Sequence, residues 1–257
     1  MSRTALFAAL VAIAAPAVAQ DAAPPAEEPL IVETGAQGIF EVSGELTLMS
    51  DYRFRGVSRS DEDPAAQAGV MVRHESGIYA GARGTTLRGN DGFRLRSPAF
   101  GQQGDVQVDL YAGYGTDLGG GFELDSGLMY YAFAGGQGAT DYVEPYASLS
   151  YLIGPVYSTL GAKYAPSQAA TGREDMLYLF GQVDVSIPFR PWSFTLQAGR
   201  QDWGGYGSYW NWSLGGRYHV QVEGLPNSEI GLRYVDTDLP TGPGRDAGLL
   251  LSWELTF

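Results

Sequence analysis

The residue types that carry most enzyme chemistry are scarce in this chain, which has two histidines and no cysteine. A thiol nucleophile, a disulfide framework and a thiolate metal site are therefore excluded. His74 falls on the apolar face of its segment, whereas His219 shares a polar face with Ser213 and Arg217. Ser213 and His219 are separated by about 20 Å along an extended strand, so they cannot form a nucleophile–base pair. We expect no enzyme, although a serine on a neighbouring strand could still serve His219.

Acidic clusters are the next candidates, because carboxylate oxygens bind hard cations. Asp61-Glu62-Asp63 forms one run, and Asp236 and Asp238 flank Thr237. Such spacing could hold Ca²⁺ or bridge divalent ions to lipopolysaccharide. However, acidic loop residues are usually solvated, and no calcium-loop motif with its ordered glycine is present. The three glycines at 119–121 form a turn and not a phosphate loop, since no helix follows them. We expect no metal and no cofactor.

Charged residues at alternate positions of extended segments give the strongest functional signal. If the extended segments enclose a common lumen, counting positions from the turns places Arg53, Arg83 and Arg233 at a similar height along it. Asp109 and Glu144 reach a similar height on the opposite side. These five side chains, with Lys163 also pointing inward, would form a charged constriction with a transverse field. The alternative, which the sequence leaves open, is that the same charges pair and fill the interior.

The segment Phe40–Gly56 shows which elements must position these charges. Its even positions are mostly apolar and its odd positions are polar or charged, with both signs present. This period of two indicates a strand, which we expect to continue to Arg55. Strands of soluble proteins average about five or six residues. A strand of this length, with an apolar and a charged face, favours a lipid-facing wall around a wet interior.

The same alternation recurs along the rest of the chain and brings the strand count to twelve. The further segments are residues 65–74, 78–86, 105–117, 122–133, 142–152, 156–164, 176–187, 192–200, 209–221, 229–235 and 247–257. Their connections alternate between tight turns and long polar loops, the asymmetry of outer-membrane barrels. We therefore predict an all-β fold: a transmembrane antiparallel up-and-down β-barrel of about 12 strands. A secreted β-sandwich is the alternative, but it does not explain Trp and Tyr near the strand ends.

The two ends of the chain indicate export and insertion. Residues 1–19 resemble a secretory signal, with Arg3, a short apolar region and the small residues Ala17-Val18-Ala19. Residues 20–39, rich in Pro, Ala and Glu, are predicted to form a mobile tether before the barrel at 40–257. The last segment alternates up to the terminal Phe257. This end resembles the strand by which outer-membrane barrels are recognised, so we expect the barrel-insertion machinery as a partner.

The formal net charge of −13 argues against nucleic acid as a partner, because the chain does not neutralise a phosphate backbone. We expect instead contact with outer-membrane lipid and lipopolysaccharide. The predicted localisation is the bacterial cell outer membrane of a Gram-negative organism.

Several short stretches resemble the TorF family of predicted porins, which is also described as a proteobacterial outer-membrane family of unknown function. They are SDYRFRGVS at 50–58, Asp63-Pro64, HESGIYAG at 74–81, DLYAGY at 109–114, YVE at 142–144 and YVDTD at 234–238. The first stretch is specific, whereas the later Tyr/Gly alternations are weak singly. The resemblance covers roughly residues 44–257 and implies an outer-membrane pore.

These observations predict a narrow diffusion pore for small polar solutes or ions. Two other functions remain open. One is a non-conducting structural or surface-interaction barrel whose lumen is plugged by ion pairs. The other is an outer-membrane hydrolase.

Overall fold

The computed structural model describes residues 39–88, 104–221 and 226–257. The predicted signal, nearly all of the tether and most of the connection at 87–104 lie outside these residues. The described strands are β1 Phe40–Met49, β2 Arg53–Phe54, β3 Val57–Ser58, β4 Ala65–His74, β5 Ile78–Thr86, β6 Val106–Gly119, β7 Phe122–Ala134, β8 Tyr142–Ile153, β9 Val156–Ala165, β10 Met176–Ser186, β11 Trp192–Asp202, β12 Ser208–Val220, β13 Asn227–Thr237 and β14 Gly248–Thr256. One 3₁₀ turn, Gly204–Tyr206, precedes β12.

Twelve of these strands form a single closed antiparallel barrel, and β2 and β3 form a separate two-stranded pair. Each barrel strand pairs with its neighbours along the chain, and β1 closes the sheet by pairing with β14. The terminal Phe257 continues this seam, because Gly44 N–H donates to its carbonyl at 2.6 Å and its own N–H donates back to Gly44 at 3.0 Å. The predicted twelve-stranded antiparallel barrel is confirmed.

The barrel is apolar outside and polar inside. The outward positions carry large hydrophobic side chains, such as Leu160 at 70% exposure and Leu249 at 67%. Many of the buried positions are instead polar or charged, among them Gln107, Glu144 and Lys163. This distribution inverts that of a soluble protein and is typical of a barrel surrounded by hydrocarbon. Among the described residues, no helix is long and apolar enough to cross a bilayer.

The two ends of the barrel differ in their connections, as predicted. At the turn end, consecutive strands are joined by the short segments 75–77, 120–121, 154–155, 187–191 and 221–226. At the loop end, the connections are residues 50–64, 87–105, 135–141, 166–175, 203–207 and 238–247. The names turn end and loop end are used below for these two sides.

The prediction of one strand from Phe40 to Arg55 is wrong. β1 ends at Met49, and residues 50–64, here called the inner loop, turn into the lumen. Tyr52 and Phe54, which continue the apolar face of β1 in the sequence, are buried inside the barrel at 1% and 7% exposure. The alternation persists past Met49 because β2 is also extended, so the period of two does not show where the chain leaves the wall.

Candidate functional site

The inner loop is organised around a tight hairpin, β2–β3, that lies across the lumen. Arg55 and Gly56 occupy its turn with φ of 50° and 83°. Positive φ at both central residues defines the type I′ turn that joins short antiparallel strands. A Cβ at Gly56 would come within 2.9 Å of Asn211 on β12, so glycine permits close approach to the barrel wall.

The base of the inner loop is held by one carboxylate. Asp51 accepts hydrogen bonds from Arg53 at 2.7 Å, from Ser58 at 2.6 Å and from Ser60 at 3.0 Å. The hydroxyl of Ser60 in turn accepts the N–H of Tyr52 at 2.8 Å. These contacts are local, so the loop carries its own hydrogen-bond network into the lumen and buries few unpaired polar groups.

The tip of the hairpin is fixed to the opposite wall by Arg55. Its guanidinium donates to both carboxylate oxygens of Glu144 at 2.8 and 2.7 Å, and also to Gln201. The same guanidinium lies 4.4 Å from the ring centre of Tyr178. The hydroxyl of Tyr131 donates to Glu144 at 3.1 Å. Because Arg55 and Glu144 are both nearly fully buried, this charge-assisted pair, made by Nη2 of Arg55, fixes the position of the hairpin strongly.

A second arginine of the inner loop stacks beside the first. The guanidinium of Arg59 lies 3.5 Å from the ring centre of Phe54 and donates to Gln107 at 2.5 Å. Gln107 donates to Asp109 at 2.7 Å. Arg59 therefore links the inner loop to β6 through Gln107, and Asp109 on the same strand holds the Gln107 side chain.

The hairpin packs against what we call the aromatic half of the lumen, the inward faces of β6–β10. Its buried side chains include Tyr111, Met129, Tyr131, Phe133, Tyr142, Tyr146, Tyr178 and Phe180. Inward glycines lie under several rings: Gly127 under Tyr146 and Gly161 under Phe180 within this half, and Gly81 under Tyr111, Gly113 under Tyr79 and Gly199 under Tyr178 at its borders with β5 and β11. Glycine leaves room for a ring to lie flat on the neighbouring strand, so this half is densely packed.

The other side, the polar half, is formed by β11–β14, β1, β4 and β5. It contains a cavity of about 90 Å³. Neutral polar residues lining it include Thr47, Gln67, Thr195, Gln197, Ser213 and Ser252, with charged groups among them. Gln197 lines the cavity, and its amide nitrogen is buried without a hydrogen-bond partner among the described residues. This half can hold water or a small polar solute.

The six predicted pore-lining residues do not form two opposed walls. Arg53 belongs to the inner loop, where it bonds to Asp51 and to the carbonyl of Asp246 at 2.6 Å. Arg83 donates to Glu45 at 2.5 Å. Arg83 is also the direct cross-strand partner of Asp109, which was expected across the lumen from it.

The other three residues divide between the two halves. Glu144 is paired with Arg55, and Lys163 on β9 is 1% exposed within the aromatic half. Arg233 lines the cavity of the polar half. A transverse field between a basic and an acidic wall is therefore not what the structure shows, because neighbours of opposite sign alternate around the lumen.

The sequence analysis did not predict that Arg55 and Arg59 together hold the hairpin against the barrel wall. A signal was available: Arg55-Gly56 stands between Phe54 and Val57, and a residue followed by glycine between extended positions is typical of a tight hairpin. The partners of these arginines lie up to 146 residues away, at Gln201, and no local pattern indicates them.

Both histidines lie at the turn end. His74 is on the outside, 5.0 Å from the ring of Phe40, and shares a hydrogen bond with Ser76 at 2.8 Å. His219 faces the lumen, where its ring is 2.9 Å from Glu229. No group of three His, Asp or Glu side chains arranged to hold a metal occurs within the described ranges.

Fold and lumen together define a closed twelve-stranded antiparallel barrel, narrowed from within by its first loop. Residues 33–244 match the family described as "Bacterial protein of unknown function (Gcw_chp)", and the chain belongs to that family. No curated protein matches the chain.

Among solved structures, the fold is similar to a KdgM porin, with a TM-score of 0.54 over 84% of this chain and 99% of that one at 8% identity. It is also similar to a NanC porin, with a TM-score of 0.53 over 82% and 97% of the two chains at 15% identity. At such identities the likeness concerns the fold.

Proposed function

We propose that this protein is an outer-membrane channel through which small polar solutes or ions diffuse along the polar half of the lumen. In this proposal the inner loop forms the constriction. The observation that supports it best is the asymmetry of the lumen: the hairpin packs on aromatic rings, while a polar cavity remains on the other side. A channel needs a wet path with polar walls, and the polar half provides one.

The location follows from the same architecture. An apolar exterior with aromatic residues such as Trp192 and Trp253 near the turn end suits a bilayer interface. Lipid and lipopolysaccharide are then the surrounding partners, and the turn end faces the periplasm. We further propose that the strand ending at Phe257 is recognised by the barrel-insertion machinery, and that the resemblance to the TorF porins reflects a shared role in permeation.

A plugged barrel is the second candidate, and one observation favours it. Arg55 and Glu144 form a nearly fully buried ion pair, and the hairpin reaches the wall at both β8 and β12. If the hairpin seals the loop end completely, the barrel is a structural or surface-interaction protein without conductance.

Planar-bilayer recording on protein purified from the outer-membrane fraction separates the two candidates. Tyr52 and Arg59 are adjacent, since the N–H of Arg59 donates to the carbonyl of Tyr52 at 2.7 Å. Residues 53–58 can therefore be replaced by Gly-Gly, because this backbone hydrogen bond and the hydrogen bond from Ser60 to Asp51 are retained at the base of the loop. We expect the wild type to conduct and the shortened variant to conduct several-fold more. A control with the exposed residues 204–207 shortened should match the wild type.

A silent wild type with a conducting shortened variant would instead establish the plugged barrel. Silence of both, with the barrel correctly folded, would contradict any role in permeation.

A further inference from the structure

The charges of the lumen are unevenly distributed along the barrel axis. We call the inward-facing, at least partly buried side chains within four residues of a strand's turn end the turn-end vestibule. Its carboxylates are Glu41, Glu123, Asp125, Asp184, Glu229 and Glu254, and its guanidinium groups are Arg73 and Arg217. With His219 neutral, the vestibule has a net charge of −4.

The remainder of the lumen has the opposite sign. Its carboxylates are Glu45, Asp51, Asp109 and Glu144, and its basic groups are Arg53, Arg55, Arg59, Arg83, Lys163 and Arg233. This gives a net charge of +2 for the strand interiors and residues 51–59 together. The negative potential is thus concentrated at the turn end.

Contacts within the vestibule bring three carboxylates to one guanidinium. Arg217 lies 3.5 Å from both Asp184 and Glu229 and also interacts with Glu254. Glu229 and Glu254 are direct cross-strand partners, so two carboxylates of like charge stand side by side on one wall. Like charges on adjacent strands repel, and a mobile cation between them relieves that repulsion.

Acceptor atoms provide a second, independent indication. The side-chain oxygen of Gln182, a residue 7% exposed, has no hydrogen-bond partner among the described residues. Its amide nitrogen donates to Asp184 at 2.5 Å, which leaves the oxygen as the available atom. Glu229 Oε2 is also buried without a hydrogen bond in the described part of the chain, and its contact there is the 3.5 Å ion pair with Arg217. Carbonyl and carboxylate oxygens are the ligands that cations prefer.

We infer that the channel selects small cations, and that the turn-end vestibule sets this selectivity; the inference rests on the proposed function. Screening acts over about 8 Å at physiological ionic strength, which is comparable with the dimensions of a narrow lumen, so fixed charges act on ions throughout it. Rings of acidic side chains favour cation passage. Because the turn-end vestibule and the remainder of the lumen carry opposite net charge, the current should also differ between the two polarities of voltage.

Reversal potentials in a KCl gradient test the selectivity. We expect the wild type to prefer K⁺ over Cl⁻ and to show asymmetric current–voltage curves. The double change Glu229→Gln with Glu254→Gln should lower the permeability ratio several-fold and reduce the asymmetry, and Glu41→Gln should do so more weakly. The matched control is Asp238→Asn with Glu75→Gln, which removes one exposed carboxylate from the connection after β13 and one from the turn after β4, and should leave both properties unchanged.

Binding of spermine, a tetravalent cation, to nanodisc-embedded protein gives a readout that needs no conductance. Titration calorimetry at low salt should show several-fold weaker binding for Glu229→Gln with Glu254→Gln than for the wild type or the control. A wild type that prefers Cl⁻ or shows no preference overturns the inference, as does equal spermine affinity of the vestibule variant and the control. A silent wild type refutes the proposed function alone, and the spermine titration then decides the inference.

Discussion

The two halves of the lumen are built from similar strands but differ in how densely their side chains pack. In the aromatic half, tyrosine and phenylalanine rings lie over glycines of neighbouring strands, and Glu144 and Lys163 are buried among them. In the polar half, short hydroxyl and amide side chains surround a cavity, and ionic groups share several partners. The first is packed like the core of a soluble protein, whereas the second leaves a cavity.

The inner loop uses this difference. Its hydrophobic residue Phe54 meets Tyr131 at a ring-centre distance of 5.6 Å, and its charged residue Arg55 reaches a fully buried carboxylate. Docking on the aromatic half fixes the hairpin. In the proposed channel, the polar half opposite is then the passage, and the packed half holds the constriction in place.

Removing one carboxylate from each half should show the largest contrast. Glu144→Gln leaves the buried charge of Arg55 without its partner and should reduce the free energy of unfolding by about 3–5 kcal/mol. Glu229→Gln should cost less than about 1 kcal/mol, because Arg217 keeps Asp184 at 3.5 Å. Reversible denaturant unfolding in lipid measures both. Equal losses would mean that the two halves are packed alike.

Adding one methyl group to each half should give a smaller contrast. Gly161→Ala places a Cβ against the ring of Phe180, and overpacking of this kind costs about 1–3 kcal/mol. Gly215→Ala brings its Cβ to 3.3 Å from the Cβ of Arg233, a contact that a shift of a few tenths of an ångström relieves. We expect a cost below about 1 kcal/mol there. Thermal unfolding of the two variants would contradict the comparison if Gly215→Ala were the more damaging.

Sequence predicts the barrel well because the period of two is a local property that lipid and lumen impose on every strand. The twelve strands and the alternation of turn and loop lengths follow from it directly. The inner loop does not, since Ser50 to Phe54 continue the alternation of β1 while the chain leaves the wall. What redirects the chain is the bonding of Asp51 to Ser58 and Ser60, which the spacing of apolar residues does not reveal.

The sequence predicts which charged side chains face the lumen, but it does not predict which of them are in contact with one another. Lumen-facing parity places Arg83, Asp109 and Glu144 inside, and all three are inside. Whether two of them face or adjoin each other depends on strand pairing, and Arg83 proves to adjoin Asp109. The partner of Glu144 is Arg55, 89 residues distant in the chain, on a loop that the alternation assigned to a strand.

Thiol labelling tests the central claim, a passage through the polar half, most directly. The chain has no cysteine, so a single introduced thiol reports one position. Ser252 lines the polar cavity, whereas Ser148 is 7% exposed in the aromatic half. A small cationic methanethiosulfonate reagent should modify Ser252→Cys and lower its current, and should leave Ser148→Cys unmodified with unchanged current. Equal reaction at both positions, or reaction at Ser148→Cys alone, would contradict the account.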